Sequence, residues 1–172
     1  NLNALDSGIP VIEIFTAEEL QDIWETVNFK FYTLYGPNPE NKGIPRKDAC
    51  RLLEEILLRA DRHIESGKTG ADLRYGHDVY IMKLMNLLIS ENTSTFSSDP
   101  YQAALFWQDF SVTPMAANVQ FVFYKNKKND CLVKLRLNES EVKLPLETDL
   151  YPYYHWADFK NYCLQLIEKW GE

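Results

Sequence analysis

Apolar residues recur at helical spacing in several parts of the chain, and the earliest of these stretches begins with a capping signal. Thr16 and Glu19 are three residues apart, as in a capping box, and Phe15 and Leu20 occupy the two positions of a hydrophobic staple. Apolar residues then follow three and four apart, which predicts a helix over residues 17–28. Its predicted buried face is formed by Leu20, Ile23, Trp24 and Val27.

The clearest helical pattern covers residues 49–64, where apolar residues recur over five turns and charged residues fill the opposite face. Ser66 and Gly67 follow this pattern and predict the end of the helix. His63 falls near the polar side, so we interpret it as a solvated helix residue. Glycine and proline before this helix predict a loop over residues 36–45.

The second half of the chain begins and ends with helical patterns. Residues 79–90 have helical spacing, and the Ser, Thr and Asn residues after them predict a loop over residues 91–100. A helical piece is predicted over residues 101–110, and a longer helix over residues 156–170. The buried stripe of this last helix is predicted to be Phe159, Cys163, Leu166, Ile167 and Trp170.

Stretches rich in β-branched and aromatic residues predict strands between these helices. Residues 119–125 and 131–137 are two such stretches, and the polar turn of residues 126–130 between them predicts an antiparallel hairpin. Residues 142–146 predict a short edge strand, and residues 71–76 predict a strand directly before a helix. The sequence therefore predicts one α/β domain that spans the whole chain.

Charge and composition narrow the classes of function. The net charge of the 172-residue chain is -7, which argues against nucleic-acid binding because a duplex binder needs a basic face. No apolar run reaches the length of a membrane span. The three cysteines form no CxxC pair, so a zinc site is not expected. Because the chain begins with Asn1 rather than Met, we expect residues to be missing upstream.

One short stretch combines residue types that can handle a phosphate group. A strand over residues 71–76 that ends at Gly76 and turns into a helix places the next side chains at the carboxyl end of a sheet, where open α/β sheets bind ligands. The N–H groups of the starting helix favour an anion there. Arg74 and His77 could contact the same phosphate, and Asp78 could give a proton to the leaving oxygen. Two structural alternatives remain: Asp78 caps the helix, and Arg74 faces away and pairs with an acidic residue.

The order of several segments gives a family resemblance. Residues 73–78, Leu-Arg-Tyr-Gly-His-Asp, resemble the second signature of the histidine phosphatase superfamily in its acid phosphatase and phytase branch. The chain is most similar to the bacterial members that resemble multiple inositol polyphosphate phosphatases. The further segments that carry the resemblance are residues 52–57, 115–120, 143–148 and 152–156.

The resemblance implies a fold and a chemistry. It implies a phosphoglycerate-mutase-like fold, with a mixed sheet flanked by helices and a C-terminal β-hairpin and helix. It also implies a phosphomonoester hydrolase that works through a phosphohistidine without a metal or cofactor, on a phosphorylated small molecule such as an inositol phosphate. By resemblance His77 contacts the phosphoryl group and Asp78 is the proton donor, with Arg74 as a further candidate for substrate binding. The family suggests a periplasmic or secreted protein.

The sequence departs from the family pattern in two places. Val79 follows the acid where this branch has Thr or Asn, and the first signature, Arg-His-Gly-x-Arg with the nucleophilic histidine, is missing. The single Arg-His pair, Arg62-His63, lies inside a predicted helix and lacks the Gly and the second Arg. We therefore expect the chain to be the C-terminal portion of such an enzyme, inactive alone and partnered by the missing N-terminal part. The alternative is a non-catalytic binding or structural module.

Overall fold

The computed structural model describes residues 14–89 and 96–171 of the chain. Within these ranges helices come first, and a small sheet is followed by a last helix. The helices are α1 (Ala17–Leu34), α2 (Ile44–Ser66), α3 (Asp78–Ile89), α4 (Pro100–Ala104), α5 (Asp109–Val112) and α6 (Trp156–Trp170), with a 3-10 turn at Pro39–Asn41 between α1 and α2. The strands are β1 (Val119–Lys125), β2 (Cys131–Leu137), β3 (Ser140–Glu141) and β4 (Tyr154–His155).

The sheet is built around the predicted hairpin. β1 and β2 pair antiparallel along their whole length, from Val119 opposite Leu137 to Lys125 opposite Cys131, and both have the predicted bounds. β3 and β4 also pair antiparallel with β2. All strand pairs among the described residues are therefore antiparallel, and the expected mixed sheet is not found there. The predicted edge strand over residues 142–146 is wrong, because the paired residues precede Val142.

The core lies between the sheet and the helices α2, α3 and α6. Helix α6 has its predicted bounds, and its Phe159 packs edge-on against Phe121 of β1 at a centroid distance of 6.0 Å. Trp156 meets Phe123 in the same way at 5.2 Å. In the predicted stripe, Ile167 and Trp170 are only partly buried. The fully buried members of the core include Leu53, Leu57, Met85, Leu88, Val133, Leu135, Phe159 and Cys163.

Asp61 links α2 to α6 within this core region. It accepts hydrogen bonds from the Trp156 indole at 3.0 Å and from the Lys160 ammonium at 2.7 Å. Since the Trp156 side chain is buried, its N–H would otherwise lose its hydrogen bond with water. This aspartate therefore fixes how the two helices lie against each other.

The predicted start of α1 is confirmed, but its length is not. Thr16 accepts a hydrogen bond from the Glu19 N–H at 3.2 Å, and the Glu19 carboxylate accepts one from the Thr16 N–H at 2.8 Å, which completes the capping box. The helix continues to Leu34, through the aromatic residues after Asn28. The sequence prediction ended too early because aromatic residues are weaker helix formers than the residues before them.

The predicted buried face of α1 is mostly wrong. Leu20, Ile23 and Val27 are exposed, and the helix instead packs through positions four residues apart. Trp24 donates a hydrogen bond to Asp109 at 3.0 Å. Asn28 is fully buried because its amide donates to the Trp107 carbonyl and its oxygen accepts from the Asp109 N–H. The face of α1 that packs against α4 and α5 is therefore partly polar. Tertiary contacts, and not the spacing of apolar residues, determine which face of the helix is buried.

The segment between α2 and α3 differs most from its prediction. Helix α2 ends at Ser66 with Gly67 in the left-handed conformation, as predicted, although it begins at Ile44, within the predicted loop. Residues 68–77 then contain no helix or strand, so the strand predicted over residues 71–76 is wrong. A strand requires a hydrogen-bonding neighbour, and no described strand lies beside this segment. We call residues 68–77 the connecting segment.

The remaining predictions have mixed outcomes. The predicted helix over residues 79–90 corresponds to α3, which starts one residue earlier. The helical piece predicted over residues 101–110 is divided into α4 and α5. Half of the loop predicted over residues 91–100 lies outside the described residues, and residues 96–99 contain no helix or strand. Among the helices of residues 14–89 and 96–171, none has the length and apolar character needed to cross a membrane.

Candidate functional site

The two predicted catalytic residues lie where the connecting segment enters α3. His77 is the last residue of the segment and Asp78 is the first residue of the helix, and both are exposed. The Asp78 carboxylate accepts a hydrogen bond from the Val79 N–H at 2.8 Å, and the His77 carbonyl accepts one from the Tyr80 N–H at 3.1 Å. We call His77 and Asp78 the His-Asp corner. It joins an imidazole, a carboxylate and the first turn of a helix on one solvent-accessible surface.

This geometry supports two chemical roles. The N–H groups at the start of α3 carry partial positive charge, which favours an anion close to His77. One Asp78 oxygen accepts the Val79 N–H, and the other oxygen makes no hydrogen bond with any described residue. A carboxylic acid in that position can give a proton to an oxygen that leaves phosphorus. The same hydrogen bond also fits the simple capping role that the sequence left open.

Arg74 is not directed to an anion at the corner. Its guanidinium forms an ion pair with Glu55 of α2 at 3.2 Å. Glu55 also pairs with Arg59 at 3.0 Å, and Arg59 in turn contacts Asp72 at 3.3 Å. The hydrogen bond from Arg74, followed by the one from Arg59, lowers the pKa of Glu55 below its ordinary value. Of the two placements considered from the sequence, the structure has the one in which Arg74 pairs with an acidic residue.

The surface around the corner is open. Leu73 and Tyr75 of the connecting segment are 71% and 91% exposed. Tyr80 lies beside Gly76, where an added Cβ would be 3.6 Å from the tyrosine ring. Isolated large apolar side chains are normal on a surface, but here three exposed ones lie within four residues of the corner along the chain. The corner is thus reachable by solvent and by other molecules.

The three cysteines are poor candidates for a nucleophile. Burial raises the pKa of the Cys163 thiol to about 12, and burial also raises the pKa values of Cys50 and Cys131. A thiol acts as a nucleophile through its thiolate, so all three are poorly suited to that role. Within residues 14–89 and 96–171, no group of three or more metal-binding side chains is arranged to hold a metal ion.

Two clefts lie away from the corner. One, with a volume of about 320 Å³, is lined by the end of the hairpin and by His155. The other, of about 510 Å³, lies at the end of α2 and is lined by Arg59, Arg62, His63, Ser66 and residues 68–71. The sequence interpretation placed the two arginines on a solvated face and missed this second cleft. The signal that could have indicated it is the cluster of cationic residues on both sides of Gly67.

Comparison with known proteins adds no family assignment. No protein-family model matches the chain, and no curated protein matches it.

Proposed function

We propose that this chain supplies the phosphate-binding and proton-donating corner of a histidine-phosphatase-type phosphomonoester hydrolase. The observation that carries the proposal is the exposure of His77 and Asp78, adjacent residues where the connecting segment enters α3. The substrate is a phosphorylated small molecule, with inositol phosphates as the leading class. The nucleophilic histidine comes from another segment, which the family resemblance places in an N-terminal part of the same protein, and the resemblance also favours a periplasmic or secreted location.

The roles of the two residues follow from charge development in phosphoryl transfer. His77 donates a hydrogen bond to a phosphoryl oxygen, and the N–H groups at the start of α3 add positive potential. As the bond between phosphorus and the leaving oxygen breaks, Asp78 gives its proton to that oxygen. The phosphoryl group passes to the nucleophilic histidine, and water later releases it as phosphate. Asp78 must be protonated in the complex for the first of these steps.

The exposed connecting segment supports the idea that a further part of an enzyme covers it. Residues 71–76 are rich enough in apolar and aromatic side chains to form a strand, yet no described strand pairs with them. When the element that normally packs beside a segment is absent, the apolar side chains of that segment stay exposed and its backbone groups stay unpaired. A segment that carries the nucleophile and lies along residues 71–76 would place its histidine near His77.

The chain contains three histidines, and this makes the proposal testable in one spectrum. His63 lies in the cleft at the end of α2, His77 at the corner and His155 in the hairpin cleft. We expect orthophosphate to shift the imidazole resonances of His77 saturably and to leave those of His155 unchanged. Replacing His77 with Gln, with Asn161→Gln as a surface control, should abolish this binding when it is measured through the phosphorus signal of the ligand.

An activity assay provides the second arm of this test. The 172-residue chain should not hydrolyse p-nitrophenyl phosphate, because it lacks the nucleophile. Turnover that persists through repurification would contradict the assigned division of roles and require a nucleophile within this chain. An unchanged His77 signal at saturating phosphate would contradict the phosphate-binding role itself.

The alternative is a non-catalytic binding or structural module. Two contacts favour it: Arg74 is paired with Glu55, and the Asp78 carboxylate accepts the Val79 N–H in the first turn of α3. In this alternative the corner only holds the connecting segment against the helices. It predicts no saturable phosphate shift at His77, so the same titration separates the two functions.

A further inference from the structure

The cleft at the end of α2 is lined by basic residues from two directions. Arg59, Arg62 and His63 are three and four residues apart on the last turns of α2, so they lie on one face of the helix. Lys68 comes from the connecting segment, which turns back after Gly67. The remaining lining residues are Ser66, Thr69, Gly70 and Ala71, so no acidic side chain lines the cleft.

The positive charge of this cleft is only partly neutralised by neighbouring groups. Arg59 and Arg74 form a balanced set of ion pairs with Glu55 and Asp72, so Arg59 adds little net charge. Arg62 and the Lys68 ammonium form no ion pair with any residue of the described ranges. Two cationic groups are therefore available on the surface of a chain whose net charge is -7.

A helix C-terminus usually repels anions, and the structure offsets this effect at α2. The Lys125 ammonium donates a hydrogen bond to the Ile64 carbonyl at 2.7 Å. The Ser66 hydroxyl donates to the His63 carbonyl at 2.9 Å, and the Gly67 N–H donates to Ile64 at 3.3 Å. Carbonyls that already accept hydrogen bonds, one of them from a lysine, present less negative potential to a ligand.

The space in the cleft suits a small ligand. Its volume of about 510 Å³ lies within the range of small-molecule sites. A Cβ added at Gly67 or Gly70 would meet no atom within 4 Å, so both glycines leave the backbone open to close approach. The Thr69 hydroxyl adds a hydrogen-bond donor. A long polyanion is disfavoured, because the rest of this acidic chain would repel it beyond the cleft.

We propose that this cleft is a binding site for a small molecule that carries two or more phosphate groups, held chiefly by Arg62 and Lys68. Arginine and lysine are the side chains that most often bind phosphate, and a ligand with two linked phosphates can pair with both cations at once. The site is distinct from the His-Asp corner. The pairs Arg59–Asp72 and Arg74–Glu55 show that the connecting segment runs back along α2 from the cleft, so His77 lies towards the other end. This inference does not rest on the proposed function.

The test is a titration of the chain with tripolyphosphate at low ionic strength, followed through the three histidines and by calorimetry. We expect the imidazole NMR resonances of His63 to shift saturably and those of His155 to stay unchanged. The unchanged His155 resonances also show that the pH has not drifted. Arg62→Gln and Lys68→Gln should each weaken binding about fivefold, the effect of losing one exposed ionic contact. Arg51→Gln is the matched control, because Arg51 is an exposed arginine of the same helix outside the cleft.

Three results would overturn the proposal. The first is an unchanged His63 signal at saturating ligand. The second is an equal loss in the Arg51→Gln and Arg62→Gln variants, which would mean attraction by overall charge rather than by this cleft. The third is equal affinity for orthophosphate and tripolyphosphate, which would contradict recognition of linked phosphates. If only the His77 resonances shift, the cleft proposal fails while the proposed phosphate-binding role of His77 stands. The two outcomes can be told apart because each site has its own histidine.

Discussion

The β1–β2 hairpin and residues 71–76 of the connecting segment were both predicted to form strands, but only the hairpin forms them. The hairpin strands are rich in β-branched and aromatic residues, whereas residues 71–76 contain one aromatic residue and no β-branched residue. In the hairpin each strand satisfies the hydrogen bonds of the other, and α6 covers one face. Residues 71–76 have neither a paired strand nor a covering helix among the described residues. They are held to α2 by the ion pairs of Asp72 and Arg74.

The difference teaches that strand formation depends on a partner as much as on the strand's own residues. β-propensity measures how well side chains fit a pleated and half-buried surface, so it has little effect where that surface is absent. Ion pairs on a helix surface can position a segment without defining backbone hydrogen bonds. The hairpin is therefore expected to depend on burial for its stability, whereas the connecting segment depends on charge.

The largest expected effect comes from a matched pair of leucines. Leu135 of β2 is 1% exposed, whereas Leu73 is 71% exposed. Leu135→Ala should lower the free energy of unfolding by about 2–5 kcal/mol through lost burial and an unfilled cavity. Leu73→Ala should change it by less than about 0.5 kcal/mol. Urea denaturation of the two variants measures both, and comparable losses would mean that the connecting segment packs as a strand does.

A matched pair of aspartates should show a smaller difference. Asp61 accepts hydrogen bonds from the buried Trp156 and from Lys160, whereas Asp72 contacts Arg59 on the surface at 3.3 Å. Asp61→Ala should cost about 1–3 kcal/mol of unfolding free energy, because the indole N–H is left without its partner. Asp72→Ala should cost no more than about 1 kcal/mol.

Denaturation in high salt provides the control for this pair. Any contribution of Asp72 should fall further as salt screens the surface ion pair, whereas that of Asp61 to Trp156 should persist. If Asp72→Ala proves the more harmful substitution, the ion pairs that hold the connecting segment contribute more than surface pairs usually do.

The elements whose outcome depends on local signals could be predicted from the sequence. The capping box of Thr16 and Glu19, the end of α2 at Gly67, the hairpin and α6 are all confirmed. Each of these is decided by residues within a few positions along the chain. The exposed apolar stripe of α1 and the missing strand at residues 71–76 depend on which parts of the fold pack together. The spacing of apolar residues along the chain does not predict those tertiary contacts.

The candidate site was predicted only in part for the same reason. The junction of a segment and a helix at Asp78 follows from local sequence, and the structure places His77 and Asp78 together there. The partner of Arg74 could not be identified, because Glu55 lies 19 residues away on a helix whose rotation is set by core packing. The cationic cleft was missed because its lining combines α2 with a chain reversal after Gly67.

The smallest expected effect, a change in one titration, tests whether Arg74 belongs to the scaffold or to the candidate site. The hydrogen bond from Arg74 is the leading cause of the lowered pKa of Glu55, and the bond from Arg59 is the next. A lowered pKa in the folded state means stability that is present above the ordinary glutamate pKa and lost as the pH falls through the lowered value. Arg74→Gln should therefore raise the pH at the midpoint of the Glu55 titration. The rise should be partial, because Arg59 still pairs with Glu55. The substitution should also reduce the loss of unfolding free energy on acidification. NMR of the side-chain carboxyl carbon measures this midpoint. Lys30→Gln, which removes one exposed cation from α1, is the control that leaves it unchanged. If Arg74 is part of the scaffold, added phosphate should not move the Glu55 midpoint. An upward shift on adding phosphate would mean that Arg74 leaves Glu55 for the anion, and it would return this arginine to the binding site beside His77.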